Sequence, residues 1–350
     1  MSTGASFSGL DAGGQRRVLR GMARVGLSRF GLLGGRLKFL HSGENATFAF
    51  DSDSDLSPLP APYHRRRVLV RLHGSAFKSA DWVRSETQWL SALRSSGLVV
   101  PEPLVSSDGR LVEQVSFEGE SRPCTLMRWI EGRGGRVVSV RRMYLTGRLM
   151  AKMHSQACSW ELPTGFERRN WDFDEFFGNT TNLATPIEVL WSFVPKVLVG
   201  PMRDMEDRFH DLYPAEVPSD RPYGLVHADL HTWNTVMHKG EVYPIDFDDC
   251  GFAYHIMDIA NVLEQPLGKP GWYERASSFI SGYREVRPFP ESEWRKVGLA
   301  MAMRCASNVL WLIDKAQTNA LYREKLDEWM EDDRLALVEA QKIDIGFTGG

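Results

Sequence analysis

Short runs of alternating apolar and polar residues, many of them β-branched or aromatic, recur through the first third of the chain and predict strands. There are five such runs: "RLKFLH", "NATFAF", "RRVLVRL", "GRLVEQVSF" and "CTLMRWI". Two stretches with apolar residues at helical spacing predict helices, "QRRVLRGMARVGL" before the first run and "ADWVRSETQWLSALRSSG" after the third. The pattern predicts an antiparallel sheet of five strands together with helix.

The pattern changes after the glycine-rich stretch "EGRGG", which indicates a hinge at about residues 127–135. Beyond it, helical periodicity dominates, with candidate helices at 141–157, 185–212, 271–284, 293–318 and 320–341. Residues 224–252 are the exception, because they show two strands and a turn between loops. We expect an α+β fold of two lobes: an N-terminal lobe over residues 1–130, and a mainly helical C-terminal lobe over residues 131–350 that carries the hairpin.

Composition argues against a nucleic-acid-binding protein and against a protein stabilised by zinc or disulfides. With 25% charged residues and a formal net charge of -3, the chain lacks the basic excess of a nucleic-acid-binding protein. The four cysteines are scattered without a CxxC pair, so reduced thiols are expected rather than a zinc site or a disulfide framework. No charged-then-apolar leader opens the chain. We expect a cytoplasmic protein that binds neither nucleic acid nor membrane, and its oligomeric state is left open.

The stretch from Gly224 to Phe252 concentrates polar groups around the predicted hairpin, with "HADLHTWN" followed by "IDFDD". If the chain runs out as a strand after Asn234, turns at Lys239 and Gly240 and returns, then Asn234 and Asp246 meet at one end of the hairpin. An amide oxygen beside a carboxylate suits a hard cation such as Mg²⁺. The spacing therefore predicts a magnesium site at this end of the hairpin.

Other acidic groups of the same stretch fit phosphoryl transfer. Asp229 lies five residues before Asn234, in the loop that enters the hairpin, where its carboxylate can accept the proton of a hydroxyl nucleophile. Asp248 is either a second acidic group near the metal or a local turn cap. A base for an alcohol, together with an Asn and an Asp on Mg²⁺, is the arrangement of a phosphoryl-transfer site.

Phosphoryl transfer also needs a cation for the phosphates in the N-terminal lobe. Arg71, in the predicted strand "VLVRLH", is the candidate. Glu86 lies on the apolar face of the second predicted helix, four residues after Trp82. A carboxylate on a face that packs into a core is costly unless it is paired. We therefore predict an ion pair between Arg71 and Glu86.

These motifs resemble those of a known enzyme family. "HADLHTWN" followed by "IDFDD" is similar to the HxDxHxxN and IDxxD signatures of the aminoglycoside phosphotransferase and choline kinase superfamily, which has a protein-kinase-like fold. The resemblance extends from about Leu37 to Ile259, and "PCTLMRWIEGR" and "IDFDDCGF" are similar to the branch of stress-response kinase A and type II homoserine kinases. It implies ATP- and Mg²⁺-dependent transfer of the γ-phosphate to a hydroxyl of a small molecule, such as an aminoglycoside, homoserine or choline.

The resemblance also implies the catalytic and metal-binding residues. Asp229 matches the catalytic base, and Asn234 and Asp246 match the Mg²⁺ ligands. Asp248 is a further candidate ligand, because it follows Asp246 within the same motif. His231 either packs against the catalytic loop or contacts phosphate or substrate.

Candidate ATP-binding residues follow from the same resemblance. Arg71 stands where the family has its phosphate-contacting Lys or Arg, and Glu86 matches the helix partner of that cation. "HSGENATF" sits where a turn covers the phosphates, so Ser42 and Asn45 are candidate phosphate contacts. Main-chain groups from Met127 to Trp129 would hold the adenine, as hinge strands do in this fold.

The acceptor is expected to bind in the helical lobe. Arg304, Asn308, Trp311 and Asp314 fall on one face of a predicted helix, and the first three are candidate substrate contacts. Acidic groups would suit the ammonium groups of an aminoglycoside, whereas Arg304 would suit a carboxylate such as that of homoserine. The sequence leaves both open.

Three other interpretations stay open. The acceptor could be a protein Ser or Thr, as for stress-response kinase A. The protein could be a weakly active, kinase-like nucleotide-binding module, because Arg71 replaces the usual Lys and Gly43 alone makes a poor glycine-rich loop. His227, Asp229 and His231 could instead form the metal site of a hydrolase, although this leaves the "IDFDD" hairpin unused.

Overall fold

The computed structural model describes residues 7–56, 59–74, 79–135, 138–179, 183–213, 222–265 and 267–343. The chain divides into two compact units. The first comprises Met1–Gly134, Glu161–Arg168 and Val236–Asp248, and the second comprises Gly135–Trp160, Arg169–Thr235 and Asp249–Gly350.

Two segments that the sequence analysis placed in the C-terminal lobe belong to the first unit instead, namely Glu161–Arg168 and Val236–Asp248. The second of these holds most of the predicted hairpin. Its Met237 N–H donates to the carbonyl of Arg133 at 3.0 Å, and the Arg133 N–H donates to the carbonyl of Met237 at 2.9 Å. This reciprocal main-chain pairing explains why a hairpin distant in sequence clusters with the N-terminal part of the chain.

An antiparallel sheet of five strands forms the centre of the first unit, as predicted. The strands are β1 (Gly35–Ser42), β2 (Ala46–Ser52), β3 (Tyr63–Leu72), β4 (Glu113–Phe117) and β5 (Glu120–Ile130). Their spatial order is β1-β2-β3-β5-β4, with each neighbouring pair antiparallel. Strand β3, which carries Arg71, therefore lies in the middle of the sheet, and the end of the strand that holds Val70, Arg71 and Leu72 is buried.

Helix α1 (Ala12–Arg29) covers this sheet. Asp11 begins the helix by accepting a hydrogen bond from the Gly14 N–H at 2.7 Å. The apolar face of α1, which includes Leu19 and Met22, packs with residues of the sheet strands in one hydrophobic core. This core holds β3 in place, and with it the candidate phosphate-binding cation.

Helix α2 (Ala80–Ser95) is the second helix of this unit. It ends before Gly97, whose φ of 91° is readily adopted only by glycine. Glu86 is buried as predicted, together with Trp89 and Leu90, but Trp82 is only partly buried because Val83 takes the core position in the first turn. The helix thus turns a carboxylate, Glu86, into the interior of the unit.

The second unit is mainly helical. Its helices are α3 (Val140–Ser159), α4 (Phe173–Phe177), α5 (Ile187–Phe193), α6 (Lys196–Asp207), α7 (Phe209–Leu212), α8 (His255–Glu264), α9 (Trp272–Val286), α10 (Glu291–Trp294), α11 (Val297–Thr318) and α12 (Ala320–Gln341). Four short strands follow α7 along the chain: β6 (Tyr223–Val226) pairs with β9 (Gly251–Tyr254), and β7 (Thr235–His238) with β8 (Glu241–Pro244). The predicted hairpin is β7–β8.

The single helix expected over residues 185–212 is broken into α5, α6 and α7. Helix α5 ends at Phe193, and Pro195 is the N-cap residue of α6. Proline has no N–H with which to continue a helix, so the break at this point follows from the sequence. The periodicity alone did not reveal it because the apolar spacing continues across the proline.

One stretch of the described residues, Glu291–Thr318, is helical, long and apolar enough to cross a membrane, with a mean hydropathy of 1.2. Within its most apolar window, 72% of the residues are buried inside the protein. The same burial is found in core helices, and α11 packs against α8 and α12 in this way.

Helices α3 and α9 cross at two glycines. A Cβ atom added to Gly147 would lie 2.1 Å from the carbonyl oxygen of Phe279, and one added to Gly282 would lie 2.0 Å from that of Tyr144. The two helices therefore meet backbone to backbone, with no space for a methyl group. The crossing matters for the site, because α3 carries Arg142, which contacts the loop before β7.

We expect Gly147→Ala to lower the free energy of unfolding by about 1–3 kcal/mol, the usual range for overpacking, because backbone atoms cannot yield to the new methyl group. Gly200→Ala in α6 is the matched control, since nothing lies within 4 Å of its added Cβ. The control should be neutral or gain up to about 1 kcal/mol from helix propensity. Urea unfolding of both variants tests this, and equal effects would contradict the close crossing.

Candidate active site

The loop between β6 and β7 carries the candidate base, and a buried carboxylate of α8 holds its entrance. Asp258 accepts hydrogen bonds from the main-chain N–H groups of His227, at 3.2 Å, and Ala228, at 2.9 Å. The Asn261 side chain donates to the carbonyl of Ala228 at 2.9 Å. Hydrogen bonds therefore hold both the N–H groups and the carbonyl group of the main chain directly before Asp229.

Ala228 adopts a φ of 65°, in the left-handed region. For a residue with a Cβ this conformation costs about 1–2 kcal/mol. The bonds to Asp258 and Asn261 hold this conformation, and the turn directs the next residue, Asp229, away from the core.

Further polar contacts from α8 support the same loop. Gln265, the C-cap residue of α8, accepts from the main-chain N–H of Thr232 at 3.3 Å and lies 3.2 Å from its hydroxyl. Asp258, Asn261 and Gln265 are spaced by three and four residues, so they lie on one face of the helix. The sequence alone did not single out Asn261 or Gln265 for this role. Their signal was polar residues at helical spacing in an otherwise apolar helix.

The carboxylate of Asp258 is itself held by a buried side chain. The Nε2 atom of His154 lies 3.0 Å from its Oδ2, and the Nδ1 atom of His154 lies 2.8 Å from the Tyr283 hydroxyl. The His255 ring stacks on that of His154 with centroids 3.9 Å apart. Burial lowers the pKa of His154 to about 3 and lowers that of His255 well below its ordinary value. His154 is thus a neutral histidine of the core.

Asp229 projects from this loop with 30% of its side chain exposed. Its Oδ2 accepts from the Asn234 amide at 2.6 Å and lies 3.3 Å from Nε2 of His231. Both contacts use Oδ2, so Oδ1 is the oxygen left to receive a hydroxyl. Burial raises the pKa of Asp229, but the hydrogen bond and charge of His231 and the charge of Arg304 outweigh it and hold the pKa below its ordinary value. The carboxylate is therefore ionised at neutral pH.

Asn234 and His231 are oriented within the same loop. The Asn234 amide nitrogen also donates to the main-chain carbonyl of Asp229 at 2.9 Å, which leaves its amide oxygen as the potential metal ligand. The Nδ1 atom of His231 accepts from the Trp233 N–H at 3.2 Å, so a neutral ring carries its proton on Nε2, towards Asp229. His231 thus contacts the loop residues Asp229 and Trp233, and a contact with phosphate or substrate stays a prediction.

The metal site of a hydrolase is not assembled in the described residues. His227 is fully buried, and its Nδ1 accepts from the main-chain N–H of Asp229 at 3.3 Å, a structural role. The part of the chain that the structure describes brings together two other groups that could hold a metal: His73, Glu86 and Asp248, and Glu264, Cys305 and Asp333. Neither includes His227, Asp229 or His231.

In the first unit, Arg71 lies between two carboxylates. Its Nη1 donates to Oε1 of Glu86 at 2.8 Å, and its Nη2 donates to Oδ1 of Asp246 at 2.7 Å. Arg71 is 3% exposed and Glu86 is 1% exposed. Burial lowers the pKa of Arg71, but Glu86 and Asp246 more than offset it, so the pKa is raised and the guanidinium stays charged. The predicted ion pair between Arg71 and Glu86 is confirmed.

Asp246 follows β8 and suits a metal ligand. Its φ of 66° turns the residue out of the extended conformation of the hairpin, and 49% of its side chain is exposed. A carboxylate with one oxygen on Arg71 and a solvent-accessible surface is a hard oxygen donor of the kind that Mg²⁺ prefers. The donor types at Asp246 and Asn234 therefore fit the implied cation.

Asp248 is more enclosed than Asp246. Its Oδ2 accepts from the Asn45 side chain at 2.7 Å, and its Oδ1 lies 3.8 Å from Nδ1 of His73. Asn45, in the turn after β1, also accepts from the Gly74 N–H at 3.2 Å. Asn45 therefore links the candidate phosphate-covering turn to the "IDFDD" segment. Ser42, at the end of β1, is exposed to solvent.

Part of the main chain predicted to bind adenine is already hydrogen-bonded within the protein. The Arg128 N–H donates to the carbonyl of Glu102 at 2.8 Å, so it is not available to a base. Met127 is buried and pairs in register with Leu69 of β3. The register between β3 and β5 is irregular beside Trp129. A nucleotide contact by Met127 or Trp129 stays a prediction.

The three candidate substrate residues of α11 make contacts with different parts of the structure. Arg304 donates to Asn261 at 2.8 Å and lines a small cavity with Ala228. Asn308 donates to Asp333 of α12 at 2.7 Å. The Trp311 ring lies edge-on to an aromatic ring at the start of α12, with centroids 5.5 Å apart. Asn308 and Trp311 therefore both contact α12, and a substrate contact by either residue stays a prediction.

Asp314, the fourth residue of that face, is also withdrawn from solvent. It is 2% exposed and accepts from the main-chain N–H of Thr185 at 2.9 Å. This carboxylate stabilises the chain before α5 and does not face an acceptor. Of the predicted set on α11, Arg304 alone contacts residues that support the catalytic loop.

The chain is similar to known kinases in sequence and in fold. Amicoumacin kinase from Bacillus subtilis (strain 168) is 27% identical over 251 residues, which cover 70% of this chain and 66% of that kinase. The microcompartment-associated aminopropanol kinase gives a TM-score of 0.75 at 22% identity, over 92% of this chain and 97% of that one. Amicoumacin kinase hAmiN, in complex with AMP-PNP, Ca²⁺ and Ami, gives 0.70 at 20% identity, over 92% and 94% of the two chains.

At these identities the solved structures show the fold alone, and they confirm the protein-kinase-like expectation. The match to a family covers residues 41–297, more than half of the chain, from the end of β1 to the start of α11. It includes Arg71, Glu86, Asp229, Asn234 and Asp246. The chain therefore belongs to the phosphotransferase enzyme family, as its resemblance to the aminoglycoside phosphotransferases predicts.

Proposed function

We propose that this protein is a kinase that transfers the γ-phosphoryl group of ATP to a hydroxyl group of a small molecule with the help of Mg²⁺. The observation that carries the proposal is the buried Arg71, held by Glu86 and bonded to Asp246. A buried charge of this kind is a weak source of stability, because its desolvation offsets most of the attraction. Its retention is better explained by an anionic ligand, and phosphate matches the fork of a guanidinium.

The other residues take the roles that their chemistry supports. Asp246 and Asn234 would hold Mg²⁺ through a carboxylate and an amide oxygen. Bound Mg²⁺ would neutralise charge on the phosphates. Asp229, ionised and with Oδ1 not used by Asn234 or His231, orients the acceptor hydroxyl and accepts its proton. The hAmiN structure with AMP-PNP and Ca²⁺ supports nucleotide and divalent metal use by a protein of this fold.

We further infer that the acceptor is a small amino alcohol. The charge of Arg304 acts on four carboxylates: those of Asp229, Asp258, Glu264 and Asp333. Burial, together with the charge of Glu264, raises the pKa of Asp333 to about 8. Asp333 is therefore neutral at pH 7, whereas the ionised and partly exposed carboxylate of Asp229 would attract a cationic acceptor. The microcompartment-associated aminopropanol kinase, which is named for an amino alcohol, supports the same class.

The roles of the two aspartates predict different defects. Asp229→Asn should reduce turnover by roughly 10²–10⁴-fold, the usual effect of losing a positioned base, while Mg²⁺–ATP affinity stays within about threefold. Asp246→Asn should weaken Mg²⁺–ATP binding as well as turnover, because a metal ligand is lost. Calorimetric titration of ATP with and without Mg²⁺, beside steady-state kinetics, measures both. If Mg²⁺ has no effect on ATP affinity in the unchanged protein, the metal assignment is wrong.

Glu86→Gln tests the placement of Arg71. The variant keeps the shape of the side chain but removes its charge, so we expect the KM for ATP to rise at least about tenfold, since a charge-assisted hydrogen bond contributes about 1.5–3 kcal/mol. Asp81→Asn on the same helix is the control, because Asp81 pairs with Arg84 at the surface and should leave KM unchanged. A tenfold rise in both variants, or in neither, contradicts the assigned role of Glu86.

The acceptor class is tested with matched alcohols. Aminopropanol, homoserine, choline and an aminoglycoside carry a cationic nitrogen, whereas 1,2-propanediol lacks it. We expect kcat/KM for the best amino alcohol to exceed that for 1,2-propanediol by roughly ten- to a hundredfold, the value of one charged contact. ATP consumption with purified protein provides the measurement. Equal use of both classes would refute the amino alcohol inference without affecting the kinase proposal.

A further inference from the structure

Arg142, the third residue of α3, is buried against the catalytic loop, with 5% of its surface exposed. Its Nη2 donates to the carbonyl of Thr232 at 2.8 Å, to the carbonyl of Thr235 at 3.1 Å and to the Thr235 hydroxyl at 2.7 Å. Its Nη1 donates to the carbonyl of Gly135 at 3.0 Å. One guanidinium thus contacts three points of the chain, and all of them belong to the second unit.

This position is unfavourable for a cation in several ways. The first turn of a helix is the positive end of its dipole, which disfavours Arg. Burial lowers the pKa of Arg142 below its ordinary value. All its acceptors are neutral carbonyl or hydroxyl oxygens, which attract a guanidinium less than a carboxylate does. A residue serving only the stability of α3 would not need a charge here.

The bonded carbonyls lie on both sides of Asn234. Thr232 begins the short 3-10 turn that contains Asn234, and Thr235 begins β7. Asn234 in turn donates to both the carbonyl and the carboxylate of Asp229. Fixing the main chain before and after Asn234 therefore fixes the distance between its amide and Asp229. A shift of about 1 Å at such a group can reduce turnover about a hundredfold.

We propose that Arg142 is a positioning residue that holds Asn234 in place beside Asp229 and ties this loop to Gly135, the first residue of the second unit. Arg142 acts through the loop and touches neither nucleotide nor acceptor. Its effect on turnover rests on the proposed kinase function. Its effect on the structure of the loop does not rest on that function, so the positioning role and the kinase function can be refuted separately.

The first test needs no activity. Arg142→Met removes every donor but keeps an unbranched side chain, and Arg141→Met, at the exposed neighbouring position, is the matched control. Hydrogen exchange followed by mass spectrometry on peptides covering residues 228–236 should be at least about tenfold faster in Arg142→Met, because the loop opens more often. Exchange should be unchanged in Arg141→Met. Unchanged exchange in a folded Arg142→Met protein overturns the proposal.

The second test uses turnover with ATP and the best acceptor. Arg142→Met should lower kcat and raise the Mg²⁺ concentration needed for half-maximal rate, each by roughly 10–100-fold, as for residues that orient metal ligands. Arg142→Lys should restore part of the loss. In an Asn234→Ala background the same substitution should add less than about twofold, because the positioned group is gone. Equal losses in both backgrounds would show a general effect on the fold and contradict the positioning role.

If Arg142→Met does not fold, Thr235 provides the substitute. Thr235→Val removes the hydroxyl that accepts from Arg142 but keeps the shape, and Thr235→Ser keeps the hydroxyl. Faster exchange in the Val variant with wild-type exchange in the Ser variant supports the proposal. Equal exchange in both variants overturns it. If wild-type protein shows no phosphoryl transfer while Arg142→Met still loosens residues 228–236, the kinase proposal fails and the positioning role stands.

Discussion

The two main-chain hydrogen bonds accepted by Asp258 are the interaction on which the candidate active site depends. They hold Ala228 in a left-handed conformation that it would not adopt alone, and this conformation directs Asp229 out of the core. Burial raises the pKa of Asp258, partly offset by the charge of His227 and by the two N–H groups. The loop therefore gains its shape from a carboxylate that takes no part in the proposed chemistry.

The same site uses two kinds of support. The carboxylate of Asp258 binds N–H groups at the entrance of the loop, and the guanidinium of Arg142 binds carbonyl groups at its exit. Between them, Asp229 and Asn234 contact each other directly. A loop rigid at both ends needs no reorganisation when charge develops on a reacting group, which is the condition for electrostatic catalysis.

Much of this arrangement could be predicted from the sequence. The ion pair of Arg71 and Glu86 followed from one physical argument, the cost of a lone carboxylate on an apolar helix face. Arg142 could not be found in this way, because its partners are main-chain carbonyls, which leave no pattern of residue types. The contacts of Asn308 and Trp311 with α12 could not be predicted either, because only tertiary packing decides them.

The neutral histidines behind the catalytic loop have a consequence for the whole protein in acid. His154 and His255 stack in the core, and burial depresses the pKa of both. The unfolded chain binds protons at these positions below a pH of about 6.5, whereas the folded chain does not. Acid therefore favours the unfolded state by about 1.4 kcal/mol per pH unit for each histidine, until the folded pKa is reached. The group that supports the catalytic loop also sets the acid limit of the fold.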